Sequence, residues 1–203
     1  MRWGSLMIAK RKGQGAARGK ARDGVAPIGT RPSRPKPRYC IVCGTKLRPI
    51  REHGVRRMAC PRCGFIAYRN PVPACGVIVM RSGEVLLAKR AHEPRRGSWG
   101  IPAGFMEYGE HPERTAVREA KEETGLIVRL SGLFGVYAGR DDPRTRAVLI
   151  LYRAKIVRGR LKAGDDASEV GFFALDRLPK PIAFRAHREA LGDLRRMERR
   201  KSR

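Results

Sequence analysis

Three glutamates, Glu119, Glu122 and Glu123, have the spacing that places side chains on one face of a helix, because residues three and four apart are neighbours there. Their segment, residues 104–123, is acidic, although the chain has 45 Lys and Arg against 19 Asp and Glu. Crowded carboxylates repel one another, and oxygen ligands at this density suit hard divalent cations such as Mg²⁺ or Mn²⁺. A solvated acidic helix face is the alternative. The opposite face is small and apolar, as packing on a sheet requires, so the sequence predicts a metal site at a groove.

The turn before this helix is a second part of the predicted metal site. Gly104 follows Pro102-Ala103, at the point where a short strand is expected to end. A sharp turn there brings backbone carbonyls back over the helix. We therefore expect the carbonyl oxygen of Ala103 to join the carboxylates as a ligand.

Two C-x-x-C pairs predict a second, separate metal site. Sixteen residues separate the pairs, and Gly44 and Gly64 each follow the second cysteine of a pair. Glycine there allows positive φ, which aims backbone N–H groups at the thiolates. This spacing is typical of a closed structural zinc site with four thiolates, whereas redox-active pairs would not be expected twice at this distance. The predicted zinc ligands are Cys40, Cys43, Cys60 and Cys63.

The acidic stretch has a recognisable pattern. From Gly104 to Leu126 it reads G-x5-E-x7-R-E-x-x-E-E-x-G-L, and it resembles the signature box of the Nudix hydrolases. The resemblance implies that Glu119, Glu122 and Glu123 bind two or three Mg²⁺ or Mn²⁺ ions. It also implies that Arg118 and Glu110 brace the loop and helix by an ion pair, with Gly104 and Gly125 supporting the turns.

The same resemblance implies a fold and a reaction. The fold is α/β, an α/β/α sandwich around a mixed sheet. The reaction is hydrolysis of a nucleoside diphosphate linked to another group, in which an activated water attacks one phosphorus and the other phosphate leaves. A nucleic-acid- or nucleotide-binding protein that has kept the fold without turnover is the alternative of another class.

Residues outside the box are expected to complete the site. Glu169 lies where Nudix enzymes often supply a general base or a further metal ligand, and Asp165 and Asp166 are its rivals. Arg90 ends the strand that leads towards the box and is a candidate phosphate contact. The neighbouring basic residues, taken as weaker candidates, are Lys89, His92, Arg95 and Arg96.

Hydrophobic patterning predicts the order of the elements. Residues 75–80 and 85–90 are expected to form a hairpin, and residues 98–103 a short strand. A helix follows, with Pro112 in its first turn and Gly125 just past its end. Strands are expected over 130–139, 147–157 and 170–175, and a terminal amphipathic helix over 183–197.

Composition divides the chain into three predicted regions. Residues 1–38 are a disordered basic tail, rich in Gly, Pro, Arg and Lys; residues 39–69 are the zinc ribbon; residues 70–203 are the Nudix domain with a basic C-terminal helix.

A formal charge of +26 suits polyanionic partners: a nucleotide substrate, and nucleic acid bound by the basic tails or ribbon arginines. No apolar run approaches the length of a membrane helix, so we expect a cytoplasmic protein. A homodimer is compatible with the resemblance.

The segment after the box bears on the substrate. A zinc ribbon before a Nudix box resembles a subgroup that includes ADP-ribose, FAD and NADH pyrophosphatases. The NADH enzymes carry a Ser-Gln-Pro-Trp-Pro-Phe-Pro signature soon after the box, whereas residues 127–150 contain no Trp and no Gln. The expected order of substrates is therefore ADP-ribose, then FAD, then NADH. Tyr137, Phe172 and Phe173 are candidates to stack on adenine, with core packing as the alternative.

Overall fold

The computed structural model describes residues 37–142, 145–164 and 166–201. The predicted tail, residues 1–38, lies outside these ranges except for residues 37 and 38. The cysteine region forms a small antiparallel sheet of three strands, β1 (Arg48–Glu52), β2 (Val55–Ala59) and β3 (Ile66–Ala67). Its core consists of Cys40, Leu47 and Cys60.

A mixed sheet forms the centre of the rest of the chain. Five long strands lie in the order β10-β5-β4-β9-β8, with β4 and β9 parallel and the other neighbours antiparallel. Two short strands extend it, β6 beside β5 and β7 beside β4. In chain order the strands are β4 (Val72–Arg81), β5 (Glu84–Arg90), β6 (Trp99–Gly100), β7 (Ala103–Phe105), β8 (Leu126–Gly139), β9 (Ala147–Gly159) and β10 (Ala167–Ala174).

One helix packs on each face of this sheet, because successive residues of a strand point to opposite faces. On β4, Val77 and Val79 join the core beneath α1 (Pro112–Thr124), whereas Ile78 joins the core beneath α2 (Arg185–Lys201). Both faces of β4 are therefore apolar and buried. The result is the expected α/β/α sandwich around a mixed sheet.

Helix α1 is defined by its ends and by its small residues. The His111 side chain accepts a hydrogen bond from the backbone N–H of Glu113, and Gly125 closes the helix in the left-handed region at φ 70°. A left-handed residue at this point suits glycine, as the sequence predicted. Ala116 and Ala120 are fully buried against the sheet, and small side chains there allow the close approach that directs the glutamates to one edge.

The predicted strand over 98–103 is wrong in one respect. The chain forms two short strands, β6 and β7, separated by Ile101 and Pro102. Proline has no N–H for a ladder, and here its carbonyl oxygen accepts a hydrogen bond from Val77. This break turns the chain from beside β5 to beside β4.

Within the described ranges, no helix is long and apolar enough to cross a membrane.

Candidate active site

The loop that joins β7 to α1 places the backbone against the glutamates. A Cβ atom on Gly104 would lie 2.2 Å from the carboxyl carbon of Glu119, so only glycine fits there without moving that carboxylate. Glu123 lies one turn further along α1, and the backbone N–H of Ala103 is close enough to its carboxylate to lower its pKa in part. The Glu119 and Glu123 carboxylates are therefore held next to the turn at 103–104, where the sequence predicted a metal site.

Arg118 organises three carboxylates at once. Its Nε donates to Glu110 at 2.9 Å and a terminal nitrogen donates to the other Glu110 oxygen at 3.0 Å, which makes a two-point pair. The other terminal nitrogen donates to Glu119 at 2.6 Å and to Glu122 at 2.8 Å. The expected Arg118–Glu110 brace is thus present in the structure. Arg118 also fixes the orientation of two of the three glutamates predicted to bind metal.

The glutamates of the site differ in their affinity for protons. The hydrogen bond from Arg118, followed by that from Thr115, lowers the pKa of Glu110 to about 2. Removal from water, with the nearby Glu119 charge as a smaller cause, raises the pKa of Glu123 to about 8. Burial also raises the pKa of Glu119. Without a cation, Glu123 would therefore hold a proton at neutral pH, and a divalent cation fits these residues because it would replace that proton.

A cavity of about 270 Å³ opens beside these carboxylates. Residues of α1 and of the turn at 103–105 form one side, and the start of α2 forms another. Its wall combines acidic, basic and aromatic side chains, including Arg90, Phe105, Glu119, Glu123, Asp166, Phe184 and His187. This mixture suits a ligand that has both negative charge and an aromatic ring.

The structure separates the candidates for the general base. Asp166 lines the cavity, and its charge is close enough to contribute to the raised pKa values of Glu119 and Glu123. Glu169 lies outside the cavity wall and pairs with Lys89 at 3.0 Å, whereas Asp166 lies 3.7 Å from His92; both carboxylates are exposed. Asp165 falls outside the described residues. Glu169 therefore stays a prediction, and Asp166 is better placed.

Of the other residues predicted to bind phosphate or metal, some line the cavity and some lie outside its wall. Arg90 lines the cavity, and its guanidinium lies over the Phe184 ring at 5.3 Å. Ala103 lines it as well. Glu122 is outside the wall and bonded to Arg118, with 40% of its side chain exposed. It is accessible to a metal ion from the solvent side.

The aromatic residues singled out in the sequence do not line the cavity. The Tyr137 hydroxyl donates to Asp193 at 2.9 Å, Phe172 lies under Arg81, and Phe173 packs edge-on against Trp99. The cavity instead contains Phe105 and Phe184. Phe184 falls within residues 183–197, which the sequence predicted only as an amphipathic helix. Phe184 directly precedes α2, and no local sequence pattern marked it as a residue of the cavity wall.

The four cysteines of the ribbon come together as predicted. All four sulfur atoms lie within 4.8 Å of one another, and three of the separations are 3.5–3.6 Å. Metal–sulfur bonds of about 2.3 Å in a tetrahedron would put sulfurs about 3.8 Å apart. Backbone N–H groups of Val42 and Cys63 point at sulfurs at 3.4 Å, and Gly44 and Gly64 have φ near 70°. The geometry fits a tetrahedral metal ion.

Comparison with known proteins identifies the family. Residues 70–194 match the model of the NUDIX domain. The chain belongs to the Nudix family. Enzymes of this family need a divalent metal ion such as Mg²⁺ or Mn²⁺, and the carboxylate cluster beside the cavity is of the kind that such an ion requires.

Individual relatives extend this result. An ADP-ribose pyrophosphatase of Methanocaldococcus jannaschii is 45% identical over 118 residues, which are 58% of this chain and 69% of that protein. The NAD-capped RNA hydrolase NudC of Pseudomonas aeruginosa is 35% identical over 160 residues, 77% of this chain and 55% of that protein. The chain thus spans about half the length of that relative. A crystal structure of a Nudix hydrolase from Nitrosomonas europaea superposes with a TM-score of 0.66 at 35% identity, covering 76% of this chain and 88% of that one.

Proposed function

We propose that this Nudix hydrolase cleaves ADP-ribose with water to AMP and ribose 5-phosphate. The observation that carries the proposal is the cavity in which the Glu119 and Glu123 carboxylates face Arg90 and an aromatic ring. Carboxylates can hold divalent cations against a diphosphate, arginine can neutralise further phosphate charge, and the ring offers a surface for a base. The likeness to an ADP-ribose pyrophosphatase supports this choice of substrate.

The chain's own residues would act by position and charge. Glu119 and Glu123, together with Glu122 and the Ala103 carbonyl, would hold two or three Mg²⁺ or Mn²⁺ ions. These ions would neutralise the negative charge of the diphosphate and lower the pKa of a bound water. Arg118 keeps Glu119 oriented by its hydrogen bond of 2.6 Å. Such preorganised groups do not need to rearrange as charge develops, which is a main source of catalysis in polar sites.

Proton removal from the attacking water requires a base at the cavity wall. Asp166 is in that wall, whereas Glu169 pairs with Lys89 outside it. We therefore propose Asp166 as the base, with Glu169 as the rival. A comparison of Asp166→Asn with Glu169→Gln separates them, because loss of rate only in the Glu169 variant would contradict this choice.

Substrate preference is the direct test of the proposal. We expect purified protein with Mg²⁺ or Mn²⁺ to convert ADP-ribose to AMP and ribose 5-phosphate, with FAD slower and NADH slower again. NADH is placed last because the segment after the box has neither the Trp nor the Gln of the NADH signature. The measurement is kcat/KM for the three nucleotides, with products identified by chromatography.

Two outcomes would contradict this expectation in different ways. A kcat/KM for NADH tenfold above that for ADP-ribose, about 1.4 kcal/mol in transition-state binding, would overturn the substrate order. Binding of RNA that weakens steeply with salt, without hydrolysis of any nucleotide, would favour the alternative of a binding protein.

We also propose that the four-cysteine site holds one structural zinc ion. Backbone N–H groups point at the sulfurs of Cys40 and Cys60, which favours thiolates there. The hydrogen bonds of Thr45 lower the pKa of Cys43 to about 6, whereas the neighbouring cysteines contribute to a raised pKa of Cys63. With four sulfurs around the ion there is no open position for substrate, so the role would be structural.

Metal removal tests this second proposal. Freshly purified protein is expected to contain about one zinc per chain, and chelation is expected to release it and loosen residues 40–63. Elemental analysis measures the metal, and hydrogen exchange measures the loosening. The sheet beneath α1 and α2 serves as the internal control, since its amides should remain protected. Protein with no zinc before chelation would contradict the assignment.

A further inference from the structure

His187 is a residue of the cavity wall that the proposed mechanism does not use. It comes from the first turn of α2, whereas the metal-binding carboxylates come from α1. Its ring lies 5.8 Å from that of Phe184, which also lines the cavity. The residue therefore borders the part of the cavity that offers an aromatic surface to a ligand.

The hydrogen bonding of the ring fixes where its proton is. Nδ1 accepts a hydrogen bond from the backbone N–H of Ile101 at 2.9 Å, so in the neutral imidazole the proton must be on Nε2. A Cβ atom on Gly100 would lie 3.0 Å from Nδ1, which shows how closely that edge of the ring is packed. Among the described residues, the ring forms its hydrogen bond at Nδ1, and His187 lines the cavity. The Nε2–H lies on the side of the ring away from the bond to Ile101, which leaves it as the donor that this wall residue can offer a ligand.

The surroundings keep the ring uncharged. Burial is the largest cause that lowers the pKa of His187, to about 4, and the positive charges of Arg90 and Arg188 act in the same direction, whereas Asp141 opposes them. At neutral pH the ring is therefore a neutral donor. Such a donor suits an uncharged acceptor atom, while phosphate charge is better met by Arg90 and the cations.

We propose that His187 is a specificity-determining residue whose Nε2–H donates to an uncharged acceptor of the nucleotide, a purine ring nitrogen or a sugar oxygen. This inference rests on the proposed function, because it names a contact of that substrate. The ring nitrogen and the sugar oxygen share the required chemistry, a neutral lone pair. Phe184 beside it would support the base or sugar that carries the acceptor.

Two substitutions separate this contact from a merely structural role. His187→Asn keeps an acceptor near the Nδ1 position for the Ile101 N–H but removes the Nε2–H donor. His187→Gln keeps a donor near the Nε2 position but loses the acceptor for Ile101. We expect the Asn variant to raise KM for ADP-ribose about threefold to tenfold, as loss of one neutral hydrogen bond predicts, with kcat within about twofold and an unchanged Tm. The Gln variant should keep KM closer to wild type and lower Tm.

Substrate analogues identify the acceptor and do not depend on the variants folding. Wild-type protein is assayed with ADP-ribose that lacks N1, N3 or N7 of adenine, and with ADP-ribose that lacks a hydroxyl of the terminal sugar. One analogue is expected to raise KM as the Asn variant does, and that analogue should show no further loss in the Asn variant.

Each result of these assays tests either the His187 contact or the proposed function. An Asn variant with wild-type KM, or wild-type KM for every analogue, would overturn the contact. A reversed pattern, with KM raised in the Gln variant alone, would mean that the bond to Ile101 is the whole role of His187. Absence of ADP-ribose hydrolysis by the wild type would instead contradict the proposed function, and the same variants would then be assayed on the nucleotide that is hydrolysed.

Discussion

Replacing Glu123 by Gln is expected to lower kcat by at least about 10²-fold, the scale found when a key electrostatic group is removed from an active site. The substitution keeps the shape of the side chain and the hydrogen-bonding capacity of its oxygen towards Ala103. It removes the charge that a divalent cation needs. Steady-state kinetics with ADP-ribose at saturating Mg²⁺ measures the effect.

The matched control is Glu113→Gln, on the same helix. Glu113 is exposed in the first turn, and its side chain is not part of the cavity wall. Its variant should keep wild-type turnover, although the loss of an acid near the helix N-terminus costs a little stability. Turnover of Glu123→Gln close to that of Glu113→Gln would contradict the metal assignment.

The pH dependence of metal binding gives an independent signature of Glu123. Its pKa of about 8 lies above the ordinary value for glutamate, so below pH 8 the metal-free protein holds a proton that the cation must displace. Apparent Mg²⁺ affinity in the wild type should therefore rise with pH and level off above about 8. In Glu123→Gln this dependence should be reduced. Titration of metal-free protein by calorimetry at several pH values shows the difference.

Local pattern was enough to predict helix α1 with its row of glutamates and the cysteine cluster. The glutamates are neighbours because of helical spacing, and the left-handed end of α1 at Gly125 follows from glycine's conformational freedom. Likewise, the two C-x-x-C turns need only short-range geometry to aim their sulfurs at one point. In both cases the chemistry lies within a few residues of chain, so the sequence contains the information directly.

Contacts between residues that are far apart in the chain could not be predicted from local sequence patterns. Phe184 and His187 reach the cavity only because α2 packs on the face of the sheet opposite α1 and begins beside β6. Tyr137 was an aromatic candidate from the sequence and Phe184 was not, yet the Tyr137 hydroxyl bonds to Asp193 on α2. An aromatic residue on a strand points to one of two faces, and the sequence does not say which face borders the ligand.

Replacing Gly104 by Ala is expected to reduce kcat about 10²-fold while Tm changes little. The new Cβ would lie 2.2–2.4 Å from the Glu119 carboxylate, which is the far end of a flexible side chain and so moves in preference to the backbone. A carboxylate displaced by about 1 Å no longer meets the cation correctly, and errors of this size cost on the order of 10²-fold. Steady-state kinetics and thermal unfolding measure the two quantities.

Gly192→Ala is the matched control for this substitution. Gly192 lies within α2, and the nearest atom to an added Cβ is a terminal nitrogen of Arg196 at 3.6 Å, an ordinary contact. Alanine there should leave kcat unchanged and stabilise the protein by roughly 0.5–1 kcal/mol, because glycine is the poorer helix former. If Gly104→Ala instead behaved like this control, the Glu119 carboxylate would not need its close approach to the turn, and its assignment as a metal ligand would fall.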